Sequence, residues 1–382
     1  MKRIRISALA VSMALASSVY AQVNEFVYTN NNPQSAQNSV SGFLVGPDGV
    51  LTPTPGSPFL TGGTGSGDGQ YAAQRITSSN GPSGGFLFVA NDGSNDVSVF
   101  QINLSTGSLT LVGSPFSTGG TATVAGMSLA VTPNRQFLYA ANGDSNDVTT
   151  FAIASNGALT IVGTRTPLGS TPDGIKISPS GKFLSIALPY SNSIAMFAID
   201  PSGGLTAVPG SPFSTVGFGL PSDVEINCSS NLLFSARAAD EAVAINVFAI
   251  GYNGALSSIS GSPFNFPGDD ASVVVLSPDK VHLFVSQYSD SITALNVATG
   301  GGLTQVSGSP FPNGGGMVPS ASGVAINHAG TLVYVANFFS NKVTGFHIDA
   351  NGGLTPVTGS PFQTVPGMGL ESLTLFPSAS CN

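Results

Sequence analysis

The sequence predicts an all-β fold, a seven-bladed β-propeller built of four-stranded antiparallel blades. The first observation is a Gly-x-Leu-Thr motif, with serine for threonine once, that recurs about every 50 residues, a period typical of propeller blades. The second is that β-branched and aromatic residues alternate in short runs closed by Gly, Asn, Asp, Ser or Pro, which indicates strands. The leucines of the motif are Leu51, Leu109, Leu159, Leu205, Leu256, Leu303 and Leu354.

The last copy shows how one blade is divided into strands. Its apolar runs predict strands over residues 322–327, 332–336, 343–348 and 354–357. Four such antiparallel strands make one blade. The same division repeats in the earlier copies, and no helix is predicted after the N-terminal leader.

The two ends of the chain are predicted to share one blade. Residues 26–30 match the second strand of the pattern and residues 39–45 match the third, so the first strand of that blade is missing at the N-terminus. Residues 370–376 supply a first strand at the other end of the chain. Closure of this kind joins the termini in one sheet and leaves no open edge in the ring.

A Gly-Ser-Pro-Phe motif follows the fourth strand in six copies. Proline there ends the outer strand without losing a hydrogen-bond donor, and we expect the phenylalanine to fill the wedge between blades. A peptide-docking role for this aromatic residue is the alternative, although repetition in nearly every blade favours packing. The copies are Gly56–Phe59, Gly113–Phe116, Gly210–Phe213, Gly261–Phe264, Gly308–Phe311 and Gly359–Phe362, with a degenerate version at residues 163–168.

The N-terminus predicts export. Lys2, Arg3 and Arg5 precede an apolar stretch that ends at a small-residue cleavage site, which is typical of a secretory signal peptide. We therefore expect a signal peptide at residues 1–21 and a single propeller domain at residues 22–382, in the periplasm or outside the cell. The apolar stretch is shorter than a membrane-spanning helix, and no membrane span is expected after cleavage.

Charge and cysteine content exclude several classes of partner and framework. The whole chain has a net charge of −8, and it becomes more negative when the basic leader is removed, so nucleic acid is not an expected partner. Its two cysteines, Cys228 and Cys381, exclude a disulfide-rich scaffold. Both cysteines are expected on the same face of the propeller near its axis, either joined in one disulfide bridge or present as two thiols.

The candidate site lies where first strands enter the central channel. Aligning the first strands on their apolar pairs places charged residues at the mouth of the channel. Charged groups that share one concave surface shift each other's pKa values and can act as acid or base. A merely hydrated channel is the alternative interpretation. The charged residues concerned are Arg75, Asp173, Lys176, Asp223, Glu225 and Glu371, with Asp269 and Asp270 in a loop just ahead of a first strand.

No metal or cofactor is predicted from the motifs. The three histidines, His282, His328 and His347, lack metal-ligand spacing. The loops at residues 91–96 and 142–147 carry several Asn and Asp residues, which suit either a calcium ion or ordinary turn chemistry.

Several blade segments resemble a known family. Phe137-Leu-Tyr-Ala-Ala-Asn142, Leu332-Val-Tyr-Val-Ala-Asn337 and Gly174-Ile-Lys-Ile-Ser-Pro-Ser-Gly181 resemble the Tyr-Val-Thr-Asn propeller repeats, and the whole mature chain is similar to the seven-bladed lactonase family that includes 6-phosphogluconolactonase. The resemblance implies hydrolysis of a sugar or other small lactone. Where that family often has Pro-His-Gly at a strand mouth, this chain has Pro172-Asp173-Gly174.

A lactonase needs a base to activate water and a cation or donor for the oxyanion. We expect Glu371 or Asp173 as the base and Arg75 or Arg237 as the oxyanion group, with Lys176, Asp223, Glu225, Asp269 and Asp270 contacting the ligand. The alternative is a non-catalytic exported propeller that recognises a carbohydrate or a protein through its loops. In either case we expect a monomer without a cofactor.

Overall fold

A computed structural model describes residues 24–67, 73–80, 84–217, 219–239, 242–314, 321–365 and 369–378 of the chain. The described residues form β-strands and one short 3-10 helix, Pro189–Ser191. The strands are β1 Phe26–Asn30, β2 Gln37–Val45, β3 Leu51–Pro53, β4 Phe59–Thr64, β5 Ile76–Ser79, β6 Gly85–Asn91, β7 Asp96–Ile102, β8 Leu109–Leu111, β9 Phe116–Ser117, β10 Met127–Val131, β11 Phe137–Asn142, β12 Asp147–Ile153, β13 Leu159–Ile161, β14 Thr166–Pro167, β15 Ile175–Ile177, β16 Phe183–Leu188, β17 Ser193–Ile199, β18 Leu205–Ala207, β19 Phe213–Ser214, β20 Leu220–Ile226, β21 Leu232–Ala239, β22 Ala242–Ile250, β23 Leu256–Ser258, β24 Phe264–Phe266, β25 Ala271–Leu276, β26 His282–Gln287, β27 Ser291–Val297, β28 Leu303–Gln305, β29 Phe311–Pro312, β30 Ala321–Ile326, β31 Leu332–Asn337, β32 Lys342–Ile348, β33 Leu354–Pro356, β34 Phe362–Gln363 and β35 Ser372–Phe376.

The described strands form seven antiparallel sheets, one for each blade, and confirm the predicted propeller. Blade 1 has the strand order β3-β2-β1-β35, and each later blade runs outward from its own first strand: β5, β10, β15, β20, β25 and β30. In blade 1, Phe26 pairs with Phe376 and Asn30 pairs with Ser372. The two ends of the chain therefore close the ring within one blade, as the sequence predicts.

Each blade also has a short fifth strand that the sequence analysis did not predict. It pairs with the beginning of the third strand, whereas the fourth strand pairs with its end, so the outer edge of the blade is split in two. The Gly-Ser-Pro-Phe motif makes the split. In blade 4 the Ser211 hydroxyl accepts the Met196 N–H at 2.8 Å, which satisfies the donor that neither outer strand reaches. Ser57, Ser262, Ser309 and Ser360 do the same in blades 1, 5, 6 and 7.

The core of the described structure is divided into seven apolar clusters, each between two neighbouring blades. The phenylalanines of the Gly-Ser-Pro-Phe copies are partly buried against these clusters, for example Phe264 between blades 5 and 6 and Phe362 between blades 7 and 1. The expected wedge-filling role of this residue is therefore confirmed.

One contact recurs at all seven seams between blades. The first residue of each second strand, or the second residue in blade 2, packs against a left-handed glycine in the next blade's turn between the third and fourth strands. A Cβ at that glycine would lie 2.5 Å from the ring of Phe137 or Phe183, so the close packing itself requires glycine. The pairs are Phe26 with Gly107, Phe86 with Gly157, Phe137 with Gly203, Phe183 with Gly254, Leu232 with Gly301, His282 with Gly352 and Leu332 with Gly49.

Buried tyrosines add hydrogen bonds across three of these seams. Tyr139 in blade 3 donates its hydroxyl to the Gly203 carbonyl of blade 4 at 2.9 Å. Tyr28 and Tyr334 make the same bond to Gly107 and Gly49. Burial raises the pKa of all three phenols well above its usual value, so they remain donors at any ordinary pH.

The predicted signal peptide at residues 1–21 lies outside the described residues. In the part of the chain that the structure covers, no helix has both the length and the hydropathy needed to cross a bilayer.

Candidate functional site

The propeller has two faces. We call the face with the connections entering first strands and the loops between second and third strands the loop face, and the face with the turns between first and second strands the turn face. A cavity of about 620 Å³ follows the axis from Gln74, near the loop face, to Pro133, Pro179 and Pro278 on the turn face.

A ring of seven equivalent side chains surrounds this cavity, one from each first strand. They are equivalent because each pairs with the same position of a second strand, which is aromatic in six blades. Two of the seven are charged, and these two lie on the neighbouring blades 4 and 5. The ring consists of Thr77, Ala130, Lys176, Glu225, Val275, Ala325 and Thr374.

The two charged members form an ion pair. Lys176 Nζ lies 2.8 Å from Glu225 Oε2, and about two fifths of the lysine side chain is exposed (39%) against 8% for the glutamate. Glu225 Oε1 also accepts the N–H of Ile226, which fixes the carboxylate against the wall. Burial lowers the pKa of Lys176, but the carboxylates of Glu225 and Asp223 together more than offset this, so the pKa lies above its usual value and the amine remains charged.

The segment that enters β5 lines the cavity near the loop face. The Gln74 side chain crosses from blade 2, accepting the Ile175 N–H of blade 4 at 2.9 Å and donating to Asp223 Oδ1 of blade 5 at 2.6 Å. Ala73 packs against the apolar cluster between blades 6 and 7. One chain segment thus contacts blades on the far side of the axis, and its Gln74 lines the cavity.

Asp223 is the buried end of this bridge. Its carboxylate accepts N–H bonds from Gln74, Val224 and Val274, and the side chain is fully buried. Burial raises the pKa of Asp223 to about 7, although the three donors act in the opposite direction. Gly174 N donates to the Ser222 carbonyl at 2.8 Å, so blades 4 and 5 touch directly beside this carboxylate.

Arg75 and Glu371 are brought together on the loop-face side of the ring. Arg75 bridges Asp92 and Glu371, with 2.6 Å between Arg75 Nη1 and Glu371 Oε2. The Asn32 amide also donates to Glu371 at 2.6 Å. All three charged side chains are at most 3% exposed, so the cluster joins blades 1 and 2 rather than lining the cavity.

The other expected site residues lie apart from this cluster. Asp173 is buried and accepts the Ala73 N–H at 3.2 Å. Arg237 is buried too and donates to the Val216 and Gly219 carbonyls, while burial lowers its pKa. Asp269 and Asp270 are half-buried in the connection ahead of β25, where Asp269 accepts the N–H of Asp270.

Neither the Arg75–Asp92 ion pair nor the Gln74 bridge was predicted from the sequence. Asp92 belongs to one of the loops considered for calcium, yet its carboxylate faces Arg75. In the second of these loops, Asp144 accepts the N–H groups of Val124 and Ala125. Gln74 precedes the charged Arg75 in sequence and carries no charge that would single it out. Its position one residue before a predicted channel residue was the available signal.

Cys228 lines the turn-face part of the cavity and is disulfide-bonded. The other cysteine of the expected bridge, Cys381, lies outside the described residues.

The ring of seven blades and its axial cavity define the class as a seven-bladed β-propeller with a channel site. The family model described as lactonase, seven-bladed β-propeller, matches residues 119–214 and 242–367, more than half of the chain. The chain therefore belongs to the seven-bladed β-propeller lactonase family. No functionally curated protein matches the chain by sequence.

Solved structures with the same fold are distant in sequence. A protein of Bacteroides fragilis with a provisional assignment as a 6-phosphogluconolactonase shares 19% identity at a TM-score of 0.72, over 93% of this chain and 99% of its own. The periplasmic gluconolactonase of Pseudomonas aeruginosa shares 17% identity at a TM-score of 0.72, over 92% and 99%. A functionally unknown protein of Desulfotomaculum acetoxidans shares 15% identity at a TM-score of 0.65, over 90% and 98%.

Proposed function

We propose that this protein hydrolyses a small lactone in the axial cavity, with Glu225 and Lys176 as its catalytic residues. The observation that supports this most directly is the 2.8 Å Lys176–Glu225 pair on the wall of a cavity of about 620 Å³. A cavity of several hundred Å³ is the size that encloses a small organic ligand. Membership of the lactonase family agrees with the reaction class.

The pair supplies both functions that lactone hydrolysis needs. Glu225 accepts a proton from a water molecule as the water oxygen adds to the lactone carbonyl carbon. The Lys176 ammonium faces the carbonyl oxygen and stabilises the negative charge that develops there. When the ring C–O bond breaks, the leaving alkoxide takes the proton back from Glu225, which yields the hydroxy acid and restores the carboxylate.

The residues first expected to carry catalysis have a different role in this proposal. Arg75 and Glu371 are buried with Asp92, and a substrate in the axial cavity would not reach them. They are positioning residues that hold blades 1 and 2 together beside Gln74. If Glu371 were the base instead, Glu371→Gln would lose turnover and Glu225→Gln would keep it.

The experiment measures hydrolysis of a panel of sugar and aliphatic lactones by the purified chain and four variants. We expect Glu225→Gln to lower kcat at least about a hundredfold, because general-base catalysis contributes roughly that much. Lys176→Met should lower kcat similarly, whereas Lys182→Met, an exposed lysine on the same blade, should leave it unchanged. Glu371→Gln tests the alternative base.

Either of two results would overturn the assignment. Normal turnover in Glu225→Gln would remove the base, and loss confined to Glu371→Gln would move the reaction to the buried cluster. The variants are compared only after their thermal unfolding shows equal folded fractions.

We also propose that the protein is exported, because residues 1–21 have the pattern of a secretory signal peptide. Its test is the mass of the protein recovered from the culture medium and the periplasm of the expressing cell. A chain that begins at Gln22 in either fraction supports export, and a full-length chain confined to the cytoplasm contradicts it.

A second candidate function is recognition without catalysis. The loop face carries exposed aromatic side chains, with Tyr288 44% and Phe339 51% exposed, on loops between second and third strands. Asp269 and Asp270 lie just ahead of the neighbouring first strand. Such side chains suit a carbohydrate or a protein partner, and this function would be favoured if no lactone is hydrolysed above the spontaneous rate.

A further inference from the structure

We propose a second binding site, for a small neutral polyhydroxylated molecule such as a monosaccharide or polyol, at the seam between blades 6 and 7. It is distinct from the axial cavity and does not depend on lactone hydrolysis. At every seam of the ring, one side chain packs on a turn glycine of the next blade. At six seams the side chain on the glycine is Phe or Leu, and at this seam alone among the seven it is His282.

His282 is buried in an otherwise apolar position, and one of its two ring nitrogens has no hydrogen-bond partner among the described residues. It is 6% exposed, and its ring lies 6.3 Å from that of Phe284 in a tilted arrangement. Nδ1 lies against Gly352 and has no hydrogen-bond partner among the described residues. Buried polar atoms are nearly always paired, so an unpaired ring nitrogen in a residue that lines a cavity is an exception that calls for an explanation.

A cavity of about 570 Å³ lies at this seam, and His282 forms part of its wall. Polar groups from both blades converge on it: Asn296 and Ser307 from blade 6, and Asp349 and Asn351 from blade 7. Val281, Val297 and Val306 supply the apolar part. A few convergent polar groups on a partly apolar wall are typical of a small-molecule site.

The lining selects the class of ligand. None of the described lining residues is a lysine or an arginine, and Asp349 adds a negative charge, so an anion is disfavoured. Asp349 Oδ1 already accepts the N–H groups of Asn351 and Gly353, which argues against a cation as the main occupant. Hydroxyl groups both donate and accept, so a polyol can pair with imidazole, amide and carboxylate while its C–H faces contact the valines.

The test uses sorbitol and methyl α-D-glucoside as probes with the full chain. Because the chain has three histidines, the imidazole NMR signals of His282 can be identified by comparison with His282→Phe. We expect the probes to shift the His282 signals and to raise the melting temperature. His282→Phe restores the residue type of other seams, so it should melt higher without probe and lose the probe-dependent rise.

A matched pair of variants keeps the proposal testable if His282→Phe does not fold. Asn351→Ala changes an exposed cavity residue, and Asn253→Ala changes the equivalent exposed turn residue of blade 5. Asn351→Ala should weaken probe binding about tenfold, the loss expected for about one hydrogen bond, and Asn253→Ala should not. Unshifted His282 signals with both probes, or equal effects of the two asparagine variants, would overturn the proposal.

Discussion

Replacing Gly174 by alanine should destabilise the propeller at the contact between blades 4 and 5. A Cβ at this position would lie 2.2 Å from Asp223 Oδ1, 2.6 Å from its Cα and 2.9 Å from the Ser222 carbonyl oxygen. The backbone at Gly174 has no positive φ, so the effect is steric rather than conformational. To reach an ordinary contact, the carboxylate and the neighbouring backbone must move by about 1 Å, as in an overpacked core.

The expected magnitude follows from the contacts that this movement disturbs. Overpacking costs about 1–3 kcal/mol, and weakening a hydrogen bond to a charged group costs about 1.5–3 kcal/mol. Asp223 Oδ1 accepts two N–H bonds, from Gln74 and Val224, and both depend on its position. We therefore expect Gly174→Ala to lower the free energy of unfolding by about 3–5 kcal/mol.

Urea unfolding followed by fluorescence or circular dichroism measures this loss as a shift of the midpoint at constant slope. Gly300→Ala is the control, because a Cβ there meets no atom within 4 Å and its φ is not positive. If Gly174→Ala unfolds at the same urea concentration as the control, the close approach of the two blades is not as described.

Three further predictions concern other contacts of the ring. Because burial raises the pKa of Asp223 to about 7, the folded protein retains a proton that the unfolded chain loses above about pH 4. The free energy of unfolding should therefore fall as the pH rises from about 4 to about 7, and it should fall less in Asp223→Asn. Urea midpoints measured across this pH range test the prediction. Cys228→Ser should cost about 2–4 kcal/mol in the same assay, and reductant should destabilise the parent chain but not the variant. Tyr139→Phe leaves the buried Gly203 carbonyl without its donor and should cost about 1 kcal/mol, whereas Tyr252→Phe, 98% exposed, should not change the midpoint.

The sequence was sufficient for the blades and their closure, because these depend on local alternation and on a repeat. Strand β1 occupies residues 26–30 as predicted, and β35 begins two residues later than predicted, at Ser372. The fifth strands escaped prediction because most have two or three residues, too few to show a period of two. The role of serine in Gly-Ser-Pro-Phe also depends on a third-strand N–H that lies 15 residues away.

The candidate site was predicted only in part. Alignment of the apolar pairs places Lys176 and Glu225 toward the axis, and both line the cavity, since that placement follows from register. The Gln74 bridge connects residues 101 and 149 positions apart, and no local pattern encodes such a contact. The same holds for Arg75, whose burial depends on Asp92 and Glu371 arriving from two other segments.

The shared blade has a consequence for how the chain folds. Strands β1 and β35 are the described strands farthest apart in sequence, yet they pair within one sheet. Blades 2 to 7 can each assemble from contiguous residues, whereas blade 1 keeps an unpaired inner edge until β35 reaches β1. Contacts of such long sequence separation are slow to form, which makes ring closure the final step of folding and the interval before it the period of greatest exposure to aggregation.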